Sequence, residues 1–100
     1  MNKFGITEKL LTEIIDVIKD YPEVNRARIF GSRAMGNYKK YSDIDIALYG
    51  DFDLLTLQSV HDDLEELDCI YLFDVLHYDK LQNENLRIHI DQNGMDIYIN

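Results

Sequence analysis

One short stretch constrains this chain more than any other. Asp43-Ile44-Asp45-Ile46-Ala47-Leu48-Tyr49 alternates in strict twos, the pattern of a strand with one apolar face. Side chains two apart on a strand point the same way, so Asp43 and Asp45 stand side by side. Carboxylates held together repel, and one tends to keep its proton. A divalent cation removes that repulsion, and oxygen ligands at this spacing suit magnesium. The plainer alternative is a solvated strand face, where acidic residues are common.

The rest of the chain surrounds this strand with alternating elements. Leu10, Leu11, Ile14, Ile15 and Ile18 recur at helical spacing behind Thr7, a suitable N-cap, and Tyr21-Pro22 stops that helix. Ala27 to Phe30 reads as a strand running into Gly31-Ser32-Arg33-Ala34-Met35-Gly36, and 37–42 as a polar loop. After the alternating strand, Leu54, Leu57, Val60, Leu64 and Leu67 predict a second long helix capped by Asp53. Tyr71 to Leu76 is a third strand, 79–93 a third helix carrying Leu81, Leu86 and Ile90 inward, and Met95 to Ile99 a last strand. Asn93-Gly94 is a helix stop whose glycine suits the left-handed conformation. The order α-β-(short α)-β-α-β-α-β predicts an α/β fold, a mixed four-stranded sheet with helices packed on it.

Two further features bear on chemistry. At Gly31-Ser32 a glycine permits a turn that exposes backbone N–H groups, and a helix starting there adds positive partial charge. Such a turn holds phosphate oxygens, with the Ser32 hydroxyl as a further donor and Arg33 in reach of a phosphate. An ordinary strand-to-helix turn would look the same. Asp74, in Leu72-Phe73-Asp74-Val75-Leu76, shares its strand face with Leu72 and Leu76. An unpaired carboxylate among apolar neighbours needs a reason, which a metal shared with Asp43 and Asp45 would supply; a hydrogen-bonded structural aspartate is the alternative. Asp96 is the rival third carboxylate, but its face carries Tyr98 and Asn100 near the terminus, where solvation accounts for it.

Charge and composition narrow the partners. Acidic residues number 19 against 10 basic ones, a net charge of −9, which argues against direct binding of nucleic acid. An anionic ligand then needs a cation between it and the protein. The single cysteine, Cys69, excludes an internal disulfide and a cysteine zinc cluster. No apolar run approaches a membrane span, and Met1-Asn2-Lys3-Phe4-Gly5 lacks a signal-peptide stretch, so a cytoplasmic protein is expected.

Together, Gly31-Ser32, ten residues, and Asp43-Ile44-Asp45 form the pattern G-S-x10-D-x-D. Here the chain resembles the polymerase-β-like nucleotidyltransferases. Gly31-Ser32-Arg33-Ala34-Met35-Gly36, Ser42-Asp43-Ile44-Asp45-Ile46-Ala47 and the later Asn85-Leu86, His89-Ile90, Gly94 and Ile97-Tyr98 resemble the minimal nucleotidyltransferase (MNT) group. The resemblance covers nearly the whole chain and implies one minimal nucleotidyltransferase domain over residues 1–100. It implies that Asp43 and Asp45 bind two magnesium ions with the nucleoside triphosphate. Asp74 would complete the site and favour deprotonation of the attacking hydroxyl, while Gly31, Ser32 and Arg33 bind ATP. Two metals about 3.5–4 Å apart clamp the attacking and leaving oxygens of an in-line displacement. In the group's bacterial members the acceptor is often a tyrosine of a HEPN-domain toxin, which AMP transfer silences, so an antitoxin partnered with such a toxin is expected. A catalytically idle module that neutralises its partner by contact, and a small-molecule nucleotidyltransferase, are the alternatives.

Other residues carry weaker signals. His61, His77 and His89 share no metal-ligand spacing and read as surface or helix-packing residues. Asp62, Asp63, Glu65 and Glu66 read as a solvated helix face, with a partner-facing patch second. Lys39 and Lys40 sit in the loop between the motif halves, where solubility explains them as well as contact with ATP phosphates or a partner does, and Tyr38 and Tyr41 of the same loop offer rings for a base to stack on, a reading of little weight.

Overall fold

Thr7 starts the first helix as its hydroxyl accepts the Leu10 N–H at 3.0 Å. In the computed structural model, which describes residues 2–100, Met1 of the N-terminal stretch read above lies outside the described residues. The elements run α1 (Glu8–Lys19), β1 (Val24–Phe30), α2 (Ser32–Met35), β2 (Ile44–Gly50), α3 (Leu54–Glu65), β3 (Phe73–His77), a 3-10 turn (Tyr78–Lys80), α4 (Glu84–Asn93) and β4 (Met95–Ile99). The predicted order is observed. Strand β1 begins at Val24, three residues before the apolar run that announced it.

Further details depart from the sequence reading. β2 starts at Ile44, so Asp43 lies just before the strand rather than in it, and β3 covers Phe73–His77 rather than Tyr71–Leu76. The third helix is not continuous over 79–93. Leu81 is extended, and Asn83 starts α4 afresh by accepting the Leu86 N–H, because a capping side chain there competes with a continuing helix. Gly94 is not left-handed but extended, at φ −64° and ψ 148°. Its role is close approach, since a Cβ there would come 2.5 Å from the Ile90 carbonyl oxygen.

The sheet is mixed, in the order β3-β2-β1-β4. β1 pairs antiparallel with β2 and β4, and β2 pairs parallel with β3 through the α3 crossover. One face carries Ala27, Ile29, Ile44, Ile46 and Leu48 against Leu10, Ile14 and Ile18 of α1 and Val60 and Leu64 of α3. The other is covered less completely. There Phe30, Ala47 and Ile90 form a small cluster with Leu76, Leu81 and Leu86 around it. Alternation puts Asp45 and Asp74 on this second face, where the cover of α4 runs out. Among the described residues no helix is long and apolar enough to cross a membrane.

Candidate active site

Parallel pairing of β2 and β3 sets Asp45 directly opposite Asp74, and antiparallel pairing sets it opposite Phe30. The residue after Phe30 is Gly31, at φ +73° and ψ −152°. A Cβ at Gly31 would stand 2.3 Å from Oδ2 of Asp45. Only glycine combines that backbone conformation with that approach. The two halves of the G-S-x10-D-x-D pattern therefore meet in space, the turn of one lying against the carboxylate of the other.

Asp45 is half-buried, while Asp43 and Asp74 are exposed. Burial pushes the Asp45 carboxyl up from 3.8 to about 6, helped by the charges of Asp74 and then Asp43 and opposed by Arg33. Among the described residues no arginine, lysine or histidine forms an ion pair with Asp45. The site thus holds negative charge that its own side chains leave uncompensated.

Two sequence readings need correction here. Asp74 is not buried among apolar neighbours. β3 is an edge strand, Leu72 is 63% exposed, and Asp74 lies open to solvent. Its place beside Asp45 stands, but desolvation is not what marks it. Arg33 is not free to reach a phosphate. It is 1% exposed. Its Nε and Nη2 donate to the Ser42 carbonyl at 3.1 and 2.8 Å, and Nη1 donates to the Phe4 carbonyl at 2.8 Å. Tyr38 and Tyr71 flank the guanidinium, at 5.1 and 4.5 Å. Arg33 ties the N-terminal loop and the residue before Asp43 to α2, and acts on Asp45 only through its field.

The turn has its own structure. Gly31 caps α2, and the first N–H groups of so short a helix have no intrahelical partner. The Gly31 N–H itself donates to Nε2 of His89 at 2.9 Å, a contact the sequence reading missed. Only the neighbouring Ile90, an inward-facing position of α4, placed His89 near the sheet. His77, read as a surface or packing residue, is buried against Phe52 with its Nε2 2.7 Å from the Gly50 carbonyl oxygen. Asp96 lies away from the site, held by Arg26 and Arg28 at 2.8 and 2.9 Å, so ion pairing rather than solvation accounts for it.

Could these residues suit a divalent cation? Among the described residues no three His, Cys, Asp or Glu side chains form a ready metal cluster. Magnesium asks for less. It is usually held by one or two carboxylates plus substrate phosphates, with waters filling the octahedron. Oxygen-only donors on neighbouring strands, mutually repelling and short of cations, fit that requirement.

Comparison with known proteins follows the same line. The family model described as polymerase beta, nucleotidyltransferase matches residues 12–100. No match is found among curated proteins. Among solved structures, a chain of a toxin–antitoxin complex with AMP-PNP superposes at TM-score 0.74, with 22% identity over 90% of this chain and 73% of that chain. A chain of the MntA–HepT toxin–antitoxin complex superposes at 0.70, with 19% identity over 94% of this chain and 74% of that one. A third, from the tri-AMPylated Shewanella oneidensis HEPN toxin in complex with MNT antitoxin, gives 0.70, with 20% identity over 95% and 74%. At these identities the likeness is one of fold.

Proposed function

The chain belongs to the polymerase beta nucleotidyltransferase family, and on that premise we propose that it transfers AMP from ATP to a tyrosine of a HEPN-domain toxin, acting as the antitoxin of the pair. One observation carries the chemistry. Asp45 is wedged between the Gly31 backbone and Asp74, raised to about 6, with no basic side chain bonded to it among the described residues. Such crowding costs stability unless a cation relieves it.

Asp43, Asp45 and Asp74 would hold magnesium, which when bound supplies charge neutralisation and polarises the phosphate oxygens. The Ser32 hydroxyl and the open N–H groups of the turn would take the outer phosphates. The acceptor hydroxyl oxygen attacks the α-phosphorus in line. An oxygen–phosphorus bond forms there, the bond to the bridging oxygen of the β-phosphate breaks, and pyrophosphate leaves. In this reading Asp74, exposed at the strand edge, would take the hydroxyl proton. Residues 1–100 work as one minimal nucleotidyltransferase domain in this reading.

The surroundings of the site favour a protein acceptor. Met35, Tyr41 and Leu72 are 55%, 67% and 63% exposed. Met35 ends α2, Tyr41 precedes Asp43 by two residues, and the Leu72 carbonyl accepts the Ile44 N–H at 2.9 Å. Apolar side chains bordering a charged centre suit a docked protein surface that also keeps water from the α-phosphate. Two of the similar structures, one a toxin–antitoxin complex with AMP-PNP and one with an AMPylated HEPN toxin, support the choice of partner and nucleotide.

The test is to incubate the chain with its HEPN partner, ATP and magnesium, and locate AMP by mass spectrometry. Modified toxin tyrosine is expected, and none with Asp43→Ala plus Asp45→Ala. Modification of a free nucleoside or antibiotic with none on the toxin would replace this function by small-molecule transfer. Protection of cells by the folded double variant would replace it by neutralisation through contact.

A further inference from the structure

We propose that His89 is the positioning residue of the Gly31–Ser32 turn: its neutral Nε2 accepts the Gly31 N–H and fixes the backbone against which a triphosphate lies. The inference rests on the nucleotide-binding reading above and extends it to α4, which that reading leaves without a role.

The need for such a residue comes from how β1 ends. Its ladder with β2 closes at Phe30 opposite Asp45. At Gly31 the chain leaves the strand, at φ +73°, and its N–H loses the ladder acceptor just where the backbone presses on Asp45. An unpartnered backbone N–H in a partly enclosed place is costly. His89 supplies the acceptor, at 2.9 Å.

The imidazole arrives on a fixed support. Ile90, next to it, is fully buried. The Ile90 carbonyl accepts from Nη1 of Arg28 at 3.1 Å, joining α4 to β1. The Phe30 ring meets the imidazole edge to face, with centroids 6.2 Å apart. Nδ1 lies 3.3 Å from the Asn93 side-chain amide nitrogen. Accepting at Nε2 requires the proton to sit on Nδ1, and a half-turn of the Asn93 amide then offers that proton an oxygen. Position and ring plane are thus set by α4 and β1 together, and the tautomer by the Gly31 N–H that Nε2 accepts. A group that only packed against Phe30 would need neither a free Nε2 nor a partner at Nδ1.

Three measurements on the full chain test this: imidazole 15N shifts, hydrogen exchange at the Gly31 amide, and calorimetric binding of Mg·ATP. The wild-type shifts should place the proton on Nδ1; a proton on Nε2 overturns the proposal. In His89→Ala, Gly31 exchange should quicken and the Kd for Mg·ATP weaken, each by about tenfold, the equivalent of one well-placed hydrogen bond. His89→Gln, whose side-chain oxygen also accepts, should recover most of both. Unchanged exchange, an unchanged Kd beside a binding wild type, or no recovery in His89→Gln each overturn the role of His89 alone. A wild type that binds no Mg·ATP overturns the function proposed above and this role with it.

Discussion

Strand β1 has an aspartate on each side, and the two meet opposite treatment. On the β4 side, Asp96 sits across from Arg28 and accepts from Arg26 and Arg28, which hold its carboxyl below the usual range. On the β2 side, Asp45 sits across from Phe30 and beside Asp74. Burial and two like charges push it up to about 6. The sheet is the same and the strands are neighbours. The fold can therefore neutralise a carboxylate on this surface, and at Asp45 it does not. Asp96 holds strands together, while Asp45 is left wanting a cation, which is how a binding site differs from a structural ion pair.

The sharpest way to break this comparison is to neutralise each aspartate in turn. Asp45→Asn should lower AMP transfer by on the order of a thousandfold, as expected when a group acting as part of a catalytic unit is removed. Asp96→Asn should leave transfer near the wild-type rate. Comparable losses in both variants would erase the distinction.

The next largest effect concerns Arg33, the buried cation whose field reaches Asp45. Arg33→Met would leave the carbonyls of Phe4 and Ser42 without their donor, so unfolding in urea should show a loss of about 3 kcal/mol. The N-terminal loop should exchange its amides faster. A loss under about 1 kcal/mol would return Arg33 to the solvent side of the site, where a phosphate could reach it.

Smaller effects carry opposite signs with pH. Asp45 has a folded pKa of about 6 against 3.8, so the folded state holds the extra proton. Its contribution to stability is full below about pH 4 and is lost as pH rises through 6. Asp45→Asn should therefore be more stable than wild type at pH 7 by about 1 kcal/mol, allowing for solvent screening, and no more stable near pH 4. Asp96, with a lowered pKa, contributes above the ordinary carboxylate range and loses that contribution as pH falls. Asp96→Asn should cost about 1 kcal/mol or less at pH 7. Equilibrium denaturation at the two pH values checks both signs.

Local signals were legible and long-range ones were not. Thr7 and Asp53 cap their helices as residue type and spacing indicate, and the alternation over Ile44–Tyr49 matches the faces of β2. The G-S-x10-D-x-D spacing is legible as a family resemblance, whereas the approach of the Gly31 backbone to the Asp45 carboxylate follows only from the pairing of β1 with β2. Asp74 showed its partner but not its exposure, since a strand's place at the sheet edge depends on topology. The burial of Arg33 depends on a loop 28 residues earlier in the chain. His89 meets Gly31 across 58 residues, and no periodicity reports a contact of that kind. The break at Leu81 to Asn83 was hidden because Leu81, Leu86 and Ile90 all do face inward, as one helix would have placed them.

Whether Asp45 awaits a cation is read by a carboxyl 13C titration of that residue in the full chain, without and with saturating Mg·AMP-PNP. A midpoint near 6 is expected without metal and nucleotide, falling into the ordinary carboxylate range once they bind, with Asp96 unmoved. A midpoint that stays near 6 in the presence of both, or one already ordinary in their absence, would contradict a cation site at Asp45.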